Sequence, residues 1–305
     1  LNLSPDTSVF ITGASGVLGW ALARRLSGRC RVVGTHFSNK FVPDGVMPVR
    51  MDLADPASVD AAMETWSPHV IVHAAAMTDP DDCERDPAAA VALNLEGSAR
   101  VAAHAARVGA KVVFISTDLV FDGMRGRYAE GDAARPLSTY GRTKLEAERV
   151  FLEKPGTVGS PGAAVVRSSL IYGWGSPASG TFFSSLRAAL ASGRRMRLFT
   201  DQMRNPVLED DIAAAVVLAI EHDLEGLYHV GGPDAVSRYE FGRAACDVFG
   251  LDPGLIEPIT MSEFEYIAGR PLDSTLDISR FVSATGFAPL GIRDGLGRLK
   301  QAMPD

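Results

Sequence analysis

Val9-Phe10-Ile11-Thr12-Gly13-Ala14-Ser15-Gly16-Val17-Leu18-Gly19 is the stretch that decides the fold. A short apolar run stops at a glycine, two more glycines follow at intervals of three, and a helical pattern rich in Ala and Leu runs from Trp20 to Leu26. Gly13 permits a tight turn, Gly16 lets a pyrophosphate approach the backbone, and Gly19 lets helix and strand pack closely, with the helix N-terminus aimed at the phosphates. The spacing is a weak signal by itself. Its place at the first strand-to-helix junction predicts a dinucleotide site, to which Ser15, Val17 and Leu18 of the same turn also contribute; the alternative is a merely flexible turn.

Outward from this turn, short apolar runs alternate with longer helical patterns. Strands are expected at Arg31–Gly34, Val70–His73, Val112–Ser116, Ala164–Arg167 and Leu227–Val230, and helices around Ala57–Trp66, Ala88–Arg107 and Ser138–Glu153. This βα rhythm predicts an α/β fold, a Rossmann-type doubly wound parallel sheet whose strands are apolar because helices cover both faces. After about Ser168 the alternation breaks down and Gly, Pro, Ser and aromatic residues become denser. The reading is a nucleotide-binding domain at 1–168, to which 206–230 returns, and a smaller α/β C-terminal substrate lobe formed mainly by 169–205 and 231–305.

Composition narrows the classes. With 30 basic and 37 acidic residues, a formal charge of −7, the chain of 305 residues lacks the basic surface that nucleic-acid binding demands. The basic runs Arg24-Arg25 and Arg194-Arg195-Met196-Arg197 follow helical patterns, where cations favour the C-terminal end. No apolar stretch reaches the roughly 20 residues of a spanning helix, and residues 1–6 show no basic segment leading into an apolar one. Cys30, Cys83 and Cys246 fit neither a disulfide framework nor metal-ligand spacing, so a reduced cytoplasm is expected and no metal. The partner expected is a small-molecule substrate, with a homodimer left open.

About 20 residues beyond the glycine turn, an NAD-preferring site carries an acidic residue for the adenosine ribose. This chain has instead Gly34-Thr35-His36-Phe37-Ser38-Asn39-Lys40. His36, Ser38 and Lys40 offer an imidazole, a hydroxyl and an ammonium to a 2′-phosphate, which favours NADPH over NADH; a solvated polar loop is the alternative.

Tyr140-Gly141-Arg142-Thr143-Lys144 sets a phenol and an ammonium four residues apart at the start of a helix, hence on one face. A phenol with an ordinary pKa near 10 is a poor acid at neutral pH, and a nearby cation favours the phenolate. Tyr140 could then protonate a carbonyl oxygen as hydride arrives. A surface tyrosine resting on a lysine stem would give the same spacing. Upstream, Lys111-Val112-Val113-Phe114-Ile115 ends in Ser116-Thr117, two hydroxyls at the carboxyl edge where open α/β sheets bind ligands; simple strand termination accounts for them equally well when they are read alone.

Together these residues resemble the extended short-chain dehydrogenase/reductases, and within them the dTDP-4-dehydrorhamnose reductase-like branch. The resemblance runs through Thr12–Gly19, Asp52-Leu53, His73-Ala74-Ala75-Ala76, Asn94, Ile115 to Gly123, the Tyr140/Lys144 pair, Arg167 to Gly173, Asp201-Gln202, Ser237-Arg238-Tyr239-Glu240 and Arg270-Pro271. It implies a catalytic set of Thr117, Tyr140 and Lys144, with Tyr140 as acid, Lys144 also on the nicotinamide ribose, and Ser116 as the adjacent hydroxyl. It further implies that Asp52 and Leu53 address the adenine, that Ala74, Ala75 and Ala76 line the cofactor, and that Asn94 supports the neighbouring strand or a relay water. Arg167 and Ser169 complete the cofactor set, and Thr78, Thr117, Arg204, Asn205 and Arg270 are the substrate candidates. The implied chemistry is reduction of a 4-keto group on a nucleotide-diphosphate deoxysugar.

The chain departs from the pattern at Leu119 and Leu170, where relatives carry a tyrosine and a tryptophan, and in Met203-Arg204-Asn205-Pro206-Val207. These departures leave the sugar open. Two other functions fit the same frame. An epimerase or dehydratase would share the glycine turn and the Tyr/Lys pair, but the acidic ribose residue and the paired carboxylates of those enzymes are absent. A regulatory subunit that binds NADP without turnover, as the similar β subunit of methionine adenosyltransferase does, is the other.

Overall fold

A computed structural model describes residues 2–38, 40–153 and 162–303; Asn39 of the polar loop lies outside the described residues. Seven parallel strands form the central sheet: β1 (Ser8–Thr12), β2 (Arg31–His36), β3 (Val46–Arg50), β4 (Val70–His73), β5 (Lys111–Thr117), β6 (Ala163–Ser168) and β7 (Gly226–Val230). Their spatial order is β7-β6-β5-β4-β1-β2-β3. The chain reverses direction across the sheet between β1 and β4, and a doubly wound sheet opens its ligand crevice at that point.

Helices cover both faces. On one, α1 (Val17–Leu26) and Glu209–Glu221 bury Leu22, Leu26, Ile212 and Val216 against Val9, Ile11 and Val113. On the other, Pro56–Glu64, Gly97–Val108 and α2 (Thr139–Leu152) bury Met63, Val101 and Phe151 against Phe10, Ile71 and Phe114. A third core lies outside the sheet, where Tyr172, Phe183, Leu186, Phe241 and Leu296 pack around Phe182–Ala191 and α3 (Arg238–Phe249).

Local chemistry moves three boundaries away from the sequence pattern. α1 starts at Val17, earlier than Trp20, because extended Gly16 serves as its N-cap. β3 was not expected: Val46–Arg50 contains Pro48 and exposed side chains, which only a sheet edge tolerates. The single helix expected at Ala88–Arg107 is divided into Pro87–Val91, a π turn at Ala92–Glu96 and Gly97–Val108, preceded by Pro80–Arg85. Pro87 forces a restart, capped by Asp86, and the wide turn rotates Asn94 inward.

Asn205, a substrate candidate in the sequence, is turned into the protein and serves as a clamp. Its Nδ2 donates to Gly232 O (3.2 Å) and Leu276 O (3.3 Å), while its Oδ1 accepts from Leu276 N (3.1 Å). It thereby ties three separate chain segments. Asn205→Ala leaves these backbone groups unpaired and is expected to cost about 2–4 kcal/mol in urea unfolding.

Candidate functional site

A cleft of about 1160 Å³ follows the carboxyl ends of the strands from the glycine turn to α3. At one end Gly13 has a φ of +72°, and a Cβ there would lie 2.9 Å from Ala75 Cα; a Cβ on Gly19 would fall 2.1 Å from Gly13 O. Only glycine allows α1 to start this close to β1. The amide of Gly16 donates to Gly13 O (3.0 Å) and that of Gly13 to Thr35 Oγ1 (3.0 Å), so the turn is closed by its own bonds. The first-turn N–H groups of α1, which have no carbonyl to reach within their helix, remain for an anion, and no acidic side chain competes there.

Ser15, Gly16, Val17 and Leu18 line this end, as do His36, Asp52, Leu53 and Ala74 to Ala76. Burial, followed by the charge of Lys40, pushes the His36 imidazole below its usual range, and its buried Nδ1 has no hydrogen-bond partner. Ser38 and Lys40 are exposed and lie off the wall; Phe37 takes their place, with the Arg50 guanidinium 5.6 Å from its ring centre.

Midway, Thr117 closes β5 and α2 presents Tyr140 and Lys144 one turn apart, all three buried on the cleft wall. Ser138 caps α2 by accepting from Gly141 N (3.2 Å), fixing the helix start at the site. Thr117 Oγ1 accepts from Leu119 N (3.1 Å) and donates to Asp118 Oδ1 (3.2 Å). The electrostatics differ from the sequence expectation. Burial and then Asp118 push the Tyr140 phenol above its ordinary value, with Thr117 acting in the opposite sense, so the phenol keeps its proton. The ammonium of Lys144 lies 4.0 Å from the centre of the Phe114 ring, and burial lowers its pKa to about 7 against the pull of Glu148.

Three expected residues stand behind the wall or turn away from it. Arg167 leaves the cofactor set because its guanidinium grips Glu148 through Nε–Oε1 (2.9 Å) and Nη2–Oε2 (2.7 Å). Ser116 reaches the wall, but its hydroxyl donates to Glu148 Oε1 (2.5 Å). Asn94 is buried: its Oδ1 accepts from Met77 N (2.8 Å), and its Nδ2 donates to Met77 O (3.1 Å) and Thr143 Oγ1 (3.2 Å). It steadies the loop after β4 and α2 together.

At the far end Thr78, Ser169, Arg204 and Arg270 line the cleft, with Leu119 and Leu170 as apolar wall. Arg204 is already committed: it donates to Met203 O (2.6 Å), Leu272 O (3.3 Å) and Pro271 O (3.0 Å), and its Nε lies 3.4 Å from Asp118 Oδ2. Arg270 Nη2 binds Asp81 Oδ1 (3.0 Å), while its buried Nε has no partner. Sequence reasoning missed Arg238. Its Nε donates to Gln202 Oε1 (3.1 Å), its guanidinium lies 4.4 Å from the centre of the Phe182 ring, and its buried Nη1 has no partner. Burial, then the charge of Arg204, lowers its pKa to about 9. The missed signal was electrostatic: an arginine opening a helix opposes the helix dipole.

The RmlD substrate binding domain model matches residues 7–303. The chain belongs to the RmlD substrate-binding domain family. Within the reach of this RmlD-family chain are a probable low-salt glycan biosynthesis reductase of Haloferax volcanii, 32% identical over 97% of this chain and 98% of the relative, and methionine adenosyltransferase 2 subunit beta of Bos taurus, 34% identical over 90% and 82%. Among solved structures, dTDP-4-dehydrorhamnose reductase of Bacillus anthracis in complex with NADP superposes with a TM-score of 0.83 at 27% identity, covering 98% of this chain and 100% of that one.

The two helix-side glycines are expected to behave differently. A Cβ on Gly16 would meet Gly13 O at 3.3 Å, a contact that a small shift relieves, whereas a Cβ on Gly19 would meet the same backbone oxygen at 2.1 Å, which no small shift relieves. Gly19→Ala should weaken NADPH binding at least tenfold in a fluorescence titration and lower the melting temperature, and Gly16→Ala should lower the melting temperature less.

Proposed function

We propose that this chain is an NADPH-dependent ketoreductase acting on the 4-keto group of a nucleotide-diphosphate deoxysugar, such as a dTDP-linked one, or on a related hydroxylated ketone. In this reading residues 1–168 and 206–230 hold the cofactor, while 169–205 and 231–305 mainly form the substrate side. The family is one of NAD(P)-dependent oxidoreductases, and NADPH, with NADH as the alternative, is the cofactor. The residues fit a dinucleotide: Gly13 and Gly19 of the cradle admit no Cβ, first-turn N–H groups are available, and His36 Nδ1 is buried without a partner beside it.

The observation that carries the reading is the meeting of Thr117, Tyr140 and Lys144 on the wall of the cleft that begins at this cradle. When bound, the dinucleotide supplies the hydride. Tyr140, proton-loaded by its surroundings, donates to the ketone oxygen as negative charge develops there. The Thr117 hydroxyl exchanges its long bond to Asp118 for the same oxygen, adding a second donor. Lys144, one turn along α2, supplies positive charge to the phenol that has lost its proton. Leu119 and Leu170 keep water from the carbonyl, and Arg238 receives the negative charge of the diphosphate through its unpaired Nη1.

A second reading, a subunit that is not catalytic, is favoured by the similarity to methionine adenosyltransferase 2 subunit beta. NADPH oxidation in the presence of a dTDP-4-keto-6-deoxyhexose separates the two. Tyr140→Phe should lower kcat at least about 100-fold while NADPH binding is retained. NADPH binding without turnover of any ketone in a panel would favour the subunit reading. Arg238→Ala should raise KM about tenfold or more with little change in kcat, and an unchanged KM would remove Arg238 from the substrate site.

A further inference from the structure

Glu148 lies one helical turn beyond Lys144 and two beyond Tyr140, on the face of α2 that packs against β5 and β6. It is buried, and its carboxylate is fixed from two strands. Ser116 of β5 donates to Oε1 at 2.5 Å, and Arg167 of β6 forks onto Oε1 at 2.9 Å and Oε2 at 2.7 Å. Arg167 is held in turn by the Phe121 ring, 5.0 Å from its guanidinium carbon, and by His229 Nε2 at 3.5 Å from Nη1. A buried carboxylate bound this way is fixed in place one helical turn from Lys144.

We propose that Glu148 is a positioning residue of the site, a fixed negative charge beneath Lys144 that holds the ammonium charged under Tyr140 and so sets the pH range in which the acid can be used. The proposal rests on the reductase reading only for that last consequence. Few other groups act on the ammonium. Phe114 of β5 offers its ring face, His73 of β4 is neutral, and Thr143 and Asn94 are bonded to each other. Tyr140 is protonated, and Asp118, which acts on Tyr140, is paired with Arg204 and accepts from Ser274 Oγ at 2.5 Å. Burial alone drives Lys144 toward its uncharged form, with Glu148 as the opposing influence. Arg167 balances the charge of Glu148.

The chain has five lysines, Lys40, Lys111, Lys144, Lys154 and Lys300, so protein labelled with 13C at the lysine ε-carbon gives a spectrum simple enough to titrate, with Lys144→Arg providing the assignment. The measurement is made on the full chain without cofactor or ketone and therefore stands whether or not any ketone is reduced. In Glu148→Gln/Arg167→Met, which removes both charges together, the Lys144 midpoint should fall by about one pH unit or more. In Arg167→Met, which leaves the carboxylate unbalanced, it should rise. Shifts of opposite sign are not produced by general loosening of the fold. Midpoints that stay within about half a unit of the parent, or that move the same way in both variants, overturn the proposal. If Arg167→Met does not fold, the neutral double variant decides alone: a fall supports the proposal and a static midpoint overturns it. Where turnover is measurable, the alkaline limb of the kcat profile should move with the midpoint in each folded variant.

Discussion

The cleft depends on a buried chain of hydrogen bonds across the switch point of the sheet. The amides of Ala74 and Ala75 donate to Thr12 Oγ1 (3.1 and 3.0 Å), leaving the threonine hydroxyl to donate to His73 Nδ1 (2.7 Å). The imidazole is therefore protonated on Nε2, which donates to Ser98 Oγ (2.9 Å), and Ser98 donates to Asn94 O (2.6 Å). Every donor in the series has one direction open to it. Burial, then the charge of Lys144, lowers the His73 pKa to about 3, so the imidazole stays neutral and the chain keeps its direction near neutral pH. Its consequence is geometric. The end of β1, the loop after β4 and the π turn carrying Asn94 are held as one rigid floor, and both the glycine cradle and α2 are built upon it.

Two buried ion pairs then fix what stands on that floor. Glu148 and Arg167 lock α2 to β5 and β6, while Asp118 and Arg204 lock the end of β5 to the segment around Pro271 and Leu272. Buried pairs of this kind add little net stability, because desolvation offsets most of the attraction. Their contribution is position. One pair lies behind the Tyr140/Lys144 helix face and the other beside Thr117, so the three groups are held between two electrostatic anchors that cannot shift without leaving a charge unpaired in the interior.

The sheet was legible in the sequence because its strands are buried on both faces and read as unbroken apolar runs, and because Gly13, Gly16 and Gly19 punctuate the first junction. β3 was not, since an edge strand with Pro48 carries no such run. The site divides along a similar line. Gly13, Tyr140 and Lys144 act through local spacing, which a sequence displays. Arg167, Asn205 and Asn94 look like ligand-binding groups in a linear reading, and only the fold reveals that their partners are Glu148, Leu276 and Met77, between 17 and 71 residues away. Long-range pairing of a polar side chain leaves no periodicity. The same holds for Glu148, which in sequence is one more acidic residue on an amphipathic helix.

Arg238 shows what the α3 end of the cleft requires. Its guanidinium opens a helix whose dipole opposes it, stands near a second buried arginine, and keeps one nitrogen buried without a partner. Within the protein alone each of these is unfavourable, and Gln202 and the Phe182 ring compensate only part of the desolvation. An anion lying against Arg238 and the free Nε of Arg270 reverses the signs: it gains from the helix N-terminus, separates the two positive charges and fills the open donors. A neutral ketone would leave all three costs standing. The wall formed by Leu119 and Leu170 is apolar, so under the proposed reductase reading the charge would belong to the part of the ligand near α3 and the reacting carbonyl to the part near Tyr140. A ligand with a charged handle and an uncharged, reducible end satisfies both halves of the cleft at once.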